Sequence, residues 1–219
     1  MSDTDSFIEE VTEEVRRDRM FLMLKRYGWI GALAICGIVG GAAYNEYNKA
    51  QNAAQAQALG DALITALDQN ETDARITALS QVQADTAGGQ AIRDLLEAGA
   101  LTSAGDAEAA VVKLQQVALL GDLPQIYRDI AAFKALLLQS ETLDAADRRL
   151  QFEALARPGS PLRLLADEQL ALIDITEGET DAAIDRLQAI IVDSEVSADL
   201  QQRATQVIVA LGGTPAAAS

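Results

Sequence analysis

The residues of this chain that could carry acid–base chemistry are carboxylates, and two pairs stand close together. Asp144 is followed by Asp147, and Glu177 is followed by Glu179. Acid–base catalysis needs a sheltered cleft that perturbs the pKa of such a group. Both pairs fall at predicted turns, the first beginning at the end of SETLD and the second within TEGET. We therefore interpret them as solvated turn residues and helix caps.

Other kinds of site are excluded by residues that the chain lacks. It contains no histidine, which excludes Ser-His-Asp and Cys-His catalysis, and its single cysteine, Cys36, excludes an internal disulfide and a Cys-rich zinc site. The glycine pairs at 88–89 and 212–213 do not fall in strand-to-helix phosphate loops. The net charge of −16 argues against nucleic acid as a ligand. We expect a protein that is not an enzyme and that uses no cofactor or metal.

The pattern of apolar residues predicts helices throughout. Leu59, Leu63 and Leu67 recur four residues apart, and no stretch alternates with the period of two that is typical of a strand. Only 4% of the residues are aromatic, whereas 49% are hydrophobic, which is enough to bury a core. The predicted fold class is all-α.

Three segments of similar sequence indicate a repeat of helical hairpins. AAVVKLQ begins at Ala109, AADRRLQ at Ala145 and AAIDRLQ at Ala182, and the spacing between them is nearly equal. The paired alanines predict the start of a second helix on which a first helix packs closely, with the leucine one turn later on the same buried face. The predicted packing residues are Ala110, Leu114, Ala146, Leu150, Ala183 and Leu187.

These features resemble the tetratricopeptide repeat, which has small residues at two helix positions, glycine in the turn and proline at the end. Ala98 and Ala171 match the first small position, Gly105 and Gly178 the turn, and Pro158 the proline. Lys134 departs from the pattern in the middle repeat. We predict a solenoid of such hairpins over residues 46–212, closed by a terminal helix from Ala198, and a flexible tail over residues 213–219.

Residues 27–45 contain no charged residue and have aromatic residues near both ends. A helix of about 20 residues spans a bilayer, and aromatic rings favour its interfaces. We predict a transmembrane helix here, after an N-terminal cytoplasmic segment over residues 1–26. The alternatives are a signal peptide cleaved after Ala43 and a helix of a soluble core.

The charges beside this segment predict its orientation, because the flank richer in Lys and Arg stays in the cytoplasm. Basic residues precede it at Arg16, Arg17, Arg19, Lys25 and Arg26, whereas only Lys49 follows closely. The predicted location is a bacterial inner membrane, with the repeat domain in the periplasm. Gly37 and Gly41 form a GxxxG pattern, which indicates either helix–helix packing or ordinary glycine use in a membrane helix.

The layout resembles the YfgM-like ancillary subunits of the SecYEG translocon. The resemblance rests on the KRYGWIG entry, the AYNEYNKAQNAAQAQAL exit helix and the degenerate repeats that follow. It implies a membrane-anchored adaptor that binds the translocon and a periplasmic chaperone of the prolyl-isomerase type. It implies no catalytic residues.

Two functions follow as hypotheses. The first is a scaffold that binds periplasmic proteins through charged residues on its first helices, for which the candidates are Arg93, Glu97, Arg128, Arg163 and Glu168. The second is a structural component of an envelope or division complex that self-associates, as a homodimer, through Gly37 and Gly41. A remote third is an exported protein released after Ala43.

Overall fold

The computed structural model describes the backbone of residues 3–216, with the side chains of residues 25–26, 29–31, 33 and 35–216. The described chain is all-helical and contains no strand, which confirms the predicted class. Its helices are α1 (Asp3–Leu67), α2 (Thr72–Gln81), α3 (Ala87–Ser103), α4 (Ala107–Ala118), α5 (Gln125–Leu138), α6 (Ala145–Leu155), α7 (Arg163–Thr176), α8 (Thr180–Ile191) and α9 (Ala198–Ala210). The chain divides into two compact units between Ala58 and Leu59.

The structure contradicts the predicted transmembrane helix at residues 27–45. Among the residues described, no helix has a stretch long and apolar enough to cross a membrane. The uncharged stretch at residues 27–45 contains five glycines. Glycines at 37, 40 and 41 add no apolar side chain to it. The predicted single-pass location in an inner membrane is contradicted by the same lack of a spanning helix among the described residues. The side chain of Tyr27, at the start of the predicted span, lies outside the described residues.

The first unit, described by itself, is part of α1, and the large apolar side chains described in it are exposed. Trp29, Ile35 and Ile38 have most of their surface in contact with solvent. No atom lies within 4 Å of a Cβ built on Gly37 or Gly41. Both glycines therefore leave open space beside the helix.

The second unit packs its helices in the order of the chain. From α2 to α9, each helix packs against the next one in sequence. Its buried residues form four clusters, which contain Leu79, Leu114, Phe152 and Leu187 respectively. α5 joins two of these clusters, since Ala131 and Ala135 lie in one and Leu136 in the next. The core is thus a series of small clusters along the chain.

Glycine closes the turn between paired helices. Gly105 after α3 and Gly178 after α7 have φ values of 84° and 83°, a left-handed conformation that glycine adopts without a Cβ clash. In each turn the N–H of the residue after the glycine donates a hydrogen bond to a carbonyl of the preceding helix. Asp106 donates to the Leu101 carbonyl at 3.0 Å, and Glu179 donates to the Asp174 carbonyl at 2.8 Å. These turns lie where the sequence predicts breaks between helices.

The predicted packing residues of the first and third repeats are buried. Ala110 in α4 and Ala183 in α8 are fully covered, and so is Leu187, while Leu114 is 1% exposed. The alanines lie where α3 and α7 pack against the second helix of each hairpin. The two segments are therefore equivalent in packing as well as in sequence.

The middle repeat differs from the prediction. Ala146 is exposed and Leu150 is 67% exposed, whereas α6 buries Phe152 and Leu155 instead. Phe152 meets Phe133 of α5 edge to face, with ring centroids 5.7 Å apart. A phenylalanine removes more apolar surface from water than a leucine does, and the aromatic pair adds to that gain. α6 is thus turned about its axis relative to α4 and α8.

Candidate protein-interaction site

The basic residue of each repeat segment pairs with a buried carboxylate of a first helix. Lys113 Nζ lies 2.9 Å from Glu97 Oε2. Arg149 Nη1 lies 2.6 Å from Asp174 Oδ1, and Arg186 Nε lies 3.1 Å from Asp174 Oδ2. Since Glu97 and Asp174 are both nearly inaccessible to solvent, the repeated basic residue acts as a partner for an acid inside the fold.

Asp174 is the centre of the larger of these networks. It is 1% exposed, and its two oxygens accept hydrogen bonds from Arg149 and Arg186. Arg149 also pairs with Glu177. The hydrogen bond to Asp174, followed by that to Glu177, raises the pKa of Arg149 above its ordinary value. One buried carboxylate thereby links α6, α7 and α8.

The carboxylates near Asp174 form an ion-pair network more readily than a metal centre. Oxygens of Asp174, Glu177 and Glu179 lie within 4.8 Å of one another, a distance at which they could share a divalent cation. The oxygens of Asp174 already face two guanidinium groups, and Glu177 faces one of them. The positive charge that these acids require is supplied by arginine.

The two carboxylate pairs singled out in the sequence lie at helix ends and turns. Asp144 Oδ1 accepts the N–H of Ala146 at 3.0 Å and so caps α6. Asp147 lies exposed in the first turn of the same helix, and Glu177 is held by Arg149. These contacts agree with the interpretation as caps and turn residues.

Arg163 lies where two cavities adjoin. One, of about 500 Å³, lies between the α6–α7 turn and the start of α9, and the other, of about 440 Å³, lies between α7 and α8. Arg163 and Leu164 line both. Arg163 Nη2 lies 2.9 Å from Asp193 Oδ2 and 2.9 Å from Glu195 Oε2. We call these two cavities together the Arg163 groove.

The Arg163 groove has an apolar floor and a charged rim. Leucine, alanine and isoleucine side chains line it, namely Leu164, Leu165, Ala182, Ala189, Ile190 and Leu200. The acids Asp167, Asp185 and Asp193 surround the part between α7 and α8, together with Arg186. An apolar centre with a polar rim is the arrangement found in protein–protein interfaces.

The acids of the rim differ in their pKa. Desolvation raises the pKa of Asp167 above 3.8, against the opposing charges of Arg186 and Arg163. Hydrogen bonds from the Glu195 backbone and then from Arg163 lower the pKa of Asp193 below 3.8. Asp193 therefore stabilises the fold above its unfolded pKa and loses that contribution as pH falls through its folded pKa. Asp167 stabilises it at low pH and loses that contribution as pH rises through its folded pKa.

We expect the two carboxyl groups to titrate in that order. In a carbon-detected NMR titration of the full chain, the midpoint of Asp193 should lie below 3.8 and that of Asp167 above it. A midpoint of Asp193 at or above that of Asp167 would contradict the described geometry.

All five charged residues predicted to bind a partner have contacts within the chain. Arg93 lies 2.8 Å from Asp94 and also donates to the Val82 carbonyl. Arg128 Nη1 donates to the Gly121 carbonyl at 2.9 Å. These two arginines hold the turns that precede their own helices.

The remaining three join one helix to another element. Glu97 pairs with Lys113 of α4, and Arg163 pairs with Asp193 in the α8–α9 turn. Glu168 accepts two hydrogen bonds from Arg203 of α9, at 2.8 and 2.9 Å. Of the five, Arg163 lines the groove. Sequence reasoning missed Asp174, although a lone acid within LALIDIT is a signal of a buried ion pair.

Comparison with known proteins gives no further guidance. No protein-family model, curated protein or solved structure matches the chain. Its function is therefore argued from the Arg163 groove and the residues around it.

Proposed function

We propose that the protein is a non-enzymatic helical-repeat scaffold that binds other proteins through the Arg163 groove. The observation that carries the proposal is the pair of adjoining cavities, which share Arg163 and Leu164 between an apolar floor and a charged rim. The ion pairs from Arg163 to Asp193 and Glu195 hold that rim in place before a partner arrives. Such preorganisation lowers the entropy cost of binding.

The charge of the rim indicates the kind of partner. The acids Asp167, Asp185, Asp193 and Glu195 outnumber the bases Arg163 and Arg186. Asp185 is exposed and has no ion pair among the described residues. A partner segment with a basic residue beside an apolar one would complement this groove.

The resemblance to the YfgM-like family supplies the first partners to test. They are SecYEG subunits and a chaperone of the prolyl-isomerase type. This choice rests on the resemblance alone, while the groove itself supports a protein partner of the stated charge.

The test is a substitution in the floor of the groove. Ala189 is exposed on α8 and lines the cavity between α7 and α8, so Ala189→Arg should fill that cavity and repel a basic segment. We expect affinity for the bound partner to fall at least about tenfold, which corresponds to about 1.4 kcal/mol. Calorimetry with purified SecYEG or chaperone measures it.

Ala210→Arg is the matched control, because Ala210 is exposed on α9 and does not line the groove. Equal affinities of the two variants would exclude the groove as the binding site. If neither candidate protein binds, photo-crosslinking from position 185 with mass spectrometry identifies the partner for the same comparison.

A second candidate function is self-association as a structural component of an envelope or division complex. The observation that favours it is the open space beside Gly37 and Gly41, next to the exposed side chains of Ile35 and Ile38. Exposed apolar side chains of this kind favour contact with another protein surface. Crosslinking that captured only dimers of the chain would favour this function over the first.

A further inference from the structure

A glutamine of α8 binds the extended main chain of the C-terminal segment. Gln188 Nε2 donates to the Thr214 carbonyl at 2.7 Å, and the Ala216 N–H donates to Gln188 Oε1 at 2.7 Å. A carboxamide has both a donor and an acceptor and so can satisfy both groups at once. Pro215, between them, has no N–H to satisfy. Main-chain hydrogen bonds of this kind also support the recognition of extended peptides by proteins.

Gln115 of α4 occupies the equivalent position in the first repeat. It follows the buried Leu114 in KLQ, as Gln188 follows the buried Leu187 in RLQ. Gln115 is exposed, and its side chain makes no hydrogen bond with another described residue. The third such glutamine, Gln151, lies on α6. Because α6 is turned about its axis and the preceding Leu150 is exposed, Gln151 does not have the same position relative to the core. Gln115 therefore has the repeat position of Gln188, with its carboxamide exposed.

Two apolar residues flank Gln115, one on α4 and one at its C-terminal cap. Val112 is 49% exposed and Leu119 is 83% exposed. They lie three residues before and four residues after Gln115, a spacing that brings side chains together on a helix surface. We call Val112, Gln115 and Leu119 the α4 stripe. It offers a carboxamide for a main chain and two apolar contacts for its side chains.

We propose that the α4 stripe docks an extended segment of a partner protein, which it binds as Gln188 binds residues 214–216. The occupant is an uncharged segment with proline or small residues, like Thr214 to Ala216. Lys113, the nearest charged residue of the helix, is already paired with Glu97. This surface lies on α4, outside the Arg163 groove, and does not depend on that groove.

The probe is a synthetic peptide with the sequence of residues 212–219. It is titrated into the full chain, uniformly labelled with ¹⁵N, while the side-chain amide signals of Gln115 are followed by NMR. We expect a saturable shift with Kd on the order of 1 mM, because a short segment with few contacts binds weakly. The neighbouring Gln116 is exposed and should shift less.

Paired variants separate a specific contact from a general one. Gln115→Ala should abolish the peptide-induced shifts of the Val112 and Leu119 amides, whereas Gln116→Ala should retain them. Both side chains are exposed, so neither change should affect folding. No saturable shift at Gln115, or equal losses in the two variants, would overturn the proposal.

Ala216→Pro tests the contact from which the proposal is drawn. It removes the N–H that Gln188 accepts, so the side-chain signals of Gln188 should move. Unchanged signals would overturn the proposal at its source. The Gln115 signals could also shift when the protein concentration is raised without peptide. If that shift were lost in Ala216→Pro, the α4 stripe would bind the tail of a second copy of the chain, and the proposal of a partner protein would be overturned.

Discussion

Replacing Asp174 with alanine should lower the free energy of unfolding by about 3 kcal/mol. Breaking a buried ion pair from one side costs about 3–5 kcal/mol, because the remaining charge has lost its partner. The low end applies here, since the side chains of Arg149 and Arg186 are 25% and 31% exposed and can regain some water. Urea denaturation at an unchanged m value measures the loss.

Asp185→Ala is the control for that substitution. Asp185 is exposed on α8, close in sequence to Arg186, and has no ion pair among the described residues. Its removal should change stability by no more than about 0.5 kcal/mol. Equal effects of the two substitutions would show that the network around Asp174 adds nothing to stability beyond that of a surface acid.

Leu187→Ala and Leu150→Ala should differ sharply although the two leucines stand in nearly the same sequence. Leu187 is fully buried, so its truncation should cost about 2–5 kcal/mol through lost contacts and a cavity. Leu150 is 67% exposed, and its truncation should cost less than about 1 kcal/mol. Denaturation of both variants under the same conditions measures the difference.

Leu114→Ala extends the comparison to the first repeat. Leu114 is 1% exposed, and its truncation should fall in the same range as that of Leu187. A cost for Leu150→Ala equal to that of the other two would contradict the turned position of α6 and restore the equivalence that the sequence suggests.

The helical class and the hairpin turns were accessible from sequence because both depend on local chemistry. Apolar spacing of three and four residues specifies a helix, and Gly105 and Gly178 lie where a left-handed residue is needed. The position of α6 was not accessible. Its segment offers two competing apolar faces, and the choice between Leu150 and Phe152 depends on Phe133, which lies on another helix.

The roles of the arginines could not be read from sequence for a similar reason. Arg163 meets an acid 30 positions away, and Arg203 meets Glu168 across 35 positions. Spacing within one helix carries no information about such partners. A basic residue on a predicted surface helix is therefore poor evidence for a free binding face, even where the helix itself is predicted well.

The transmembrane prediction rested on the length of an uncharged stretch and on the aromatic residues at its ends. Residues 27–45 contain no Asp, Glu, Lys or Arg, but several of them are glycines. Transfer into hydrocarbon is driven by apolar side-chain surface, which glycine lacks. Among the described residues, no helix is long and apolar enough to cross a membrane.

The single-file packing of α2 to α9 also determines how the chain responds to stress. Each helix packs mainly on its sequence neighbours. A destabilising change in one helix therefore affects distant helices only through those that lie between them. α5, which contributes to two clusters, is one such coupling element. Hydrogen exchange should then reveal separate protection levels along the chain, so that a single melting temperature would average over segments that open in turn.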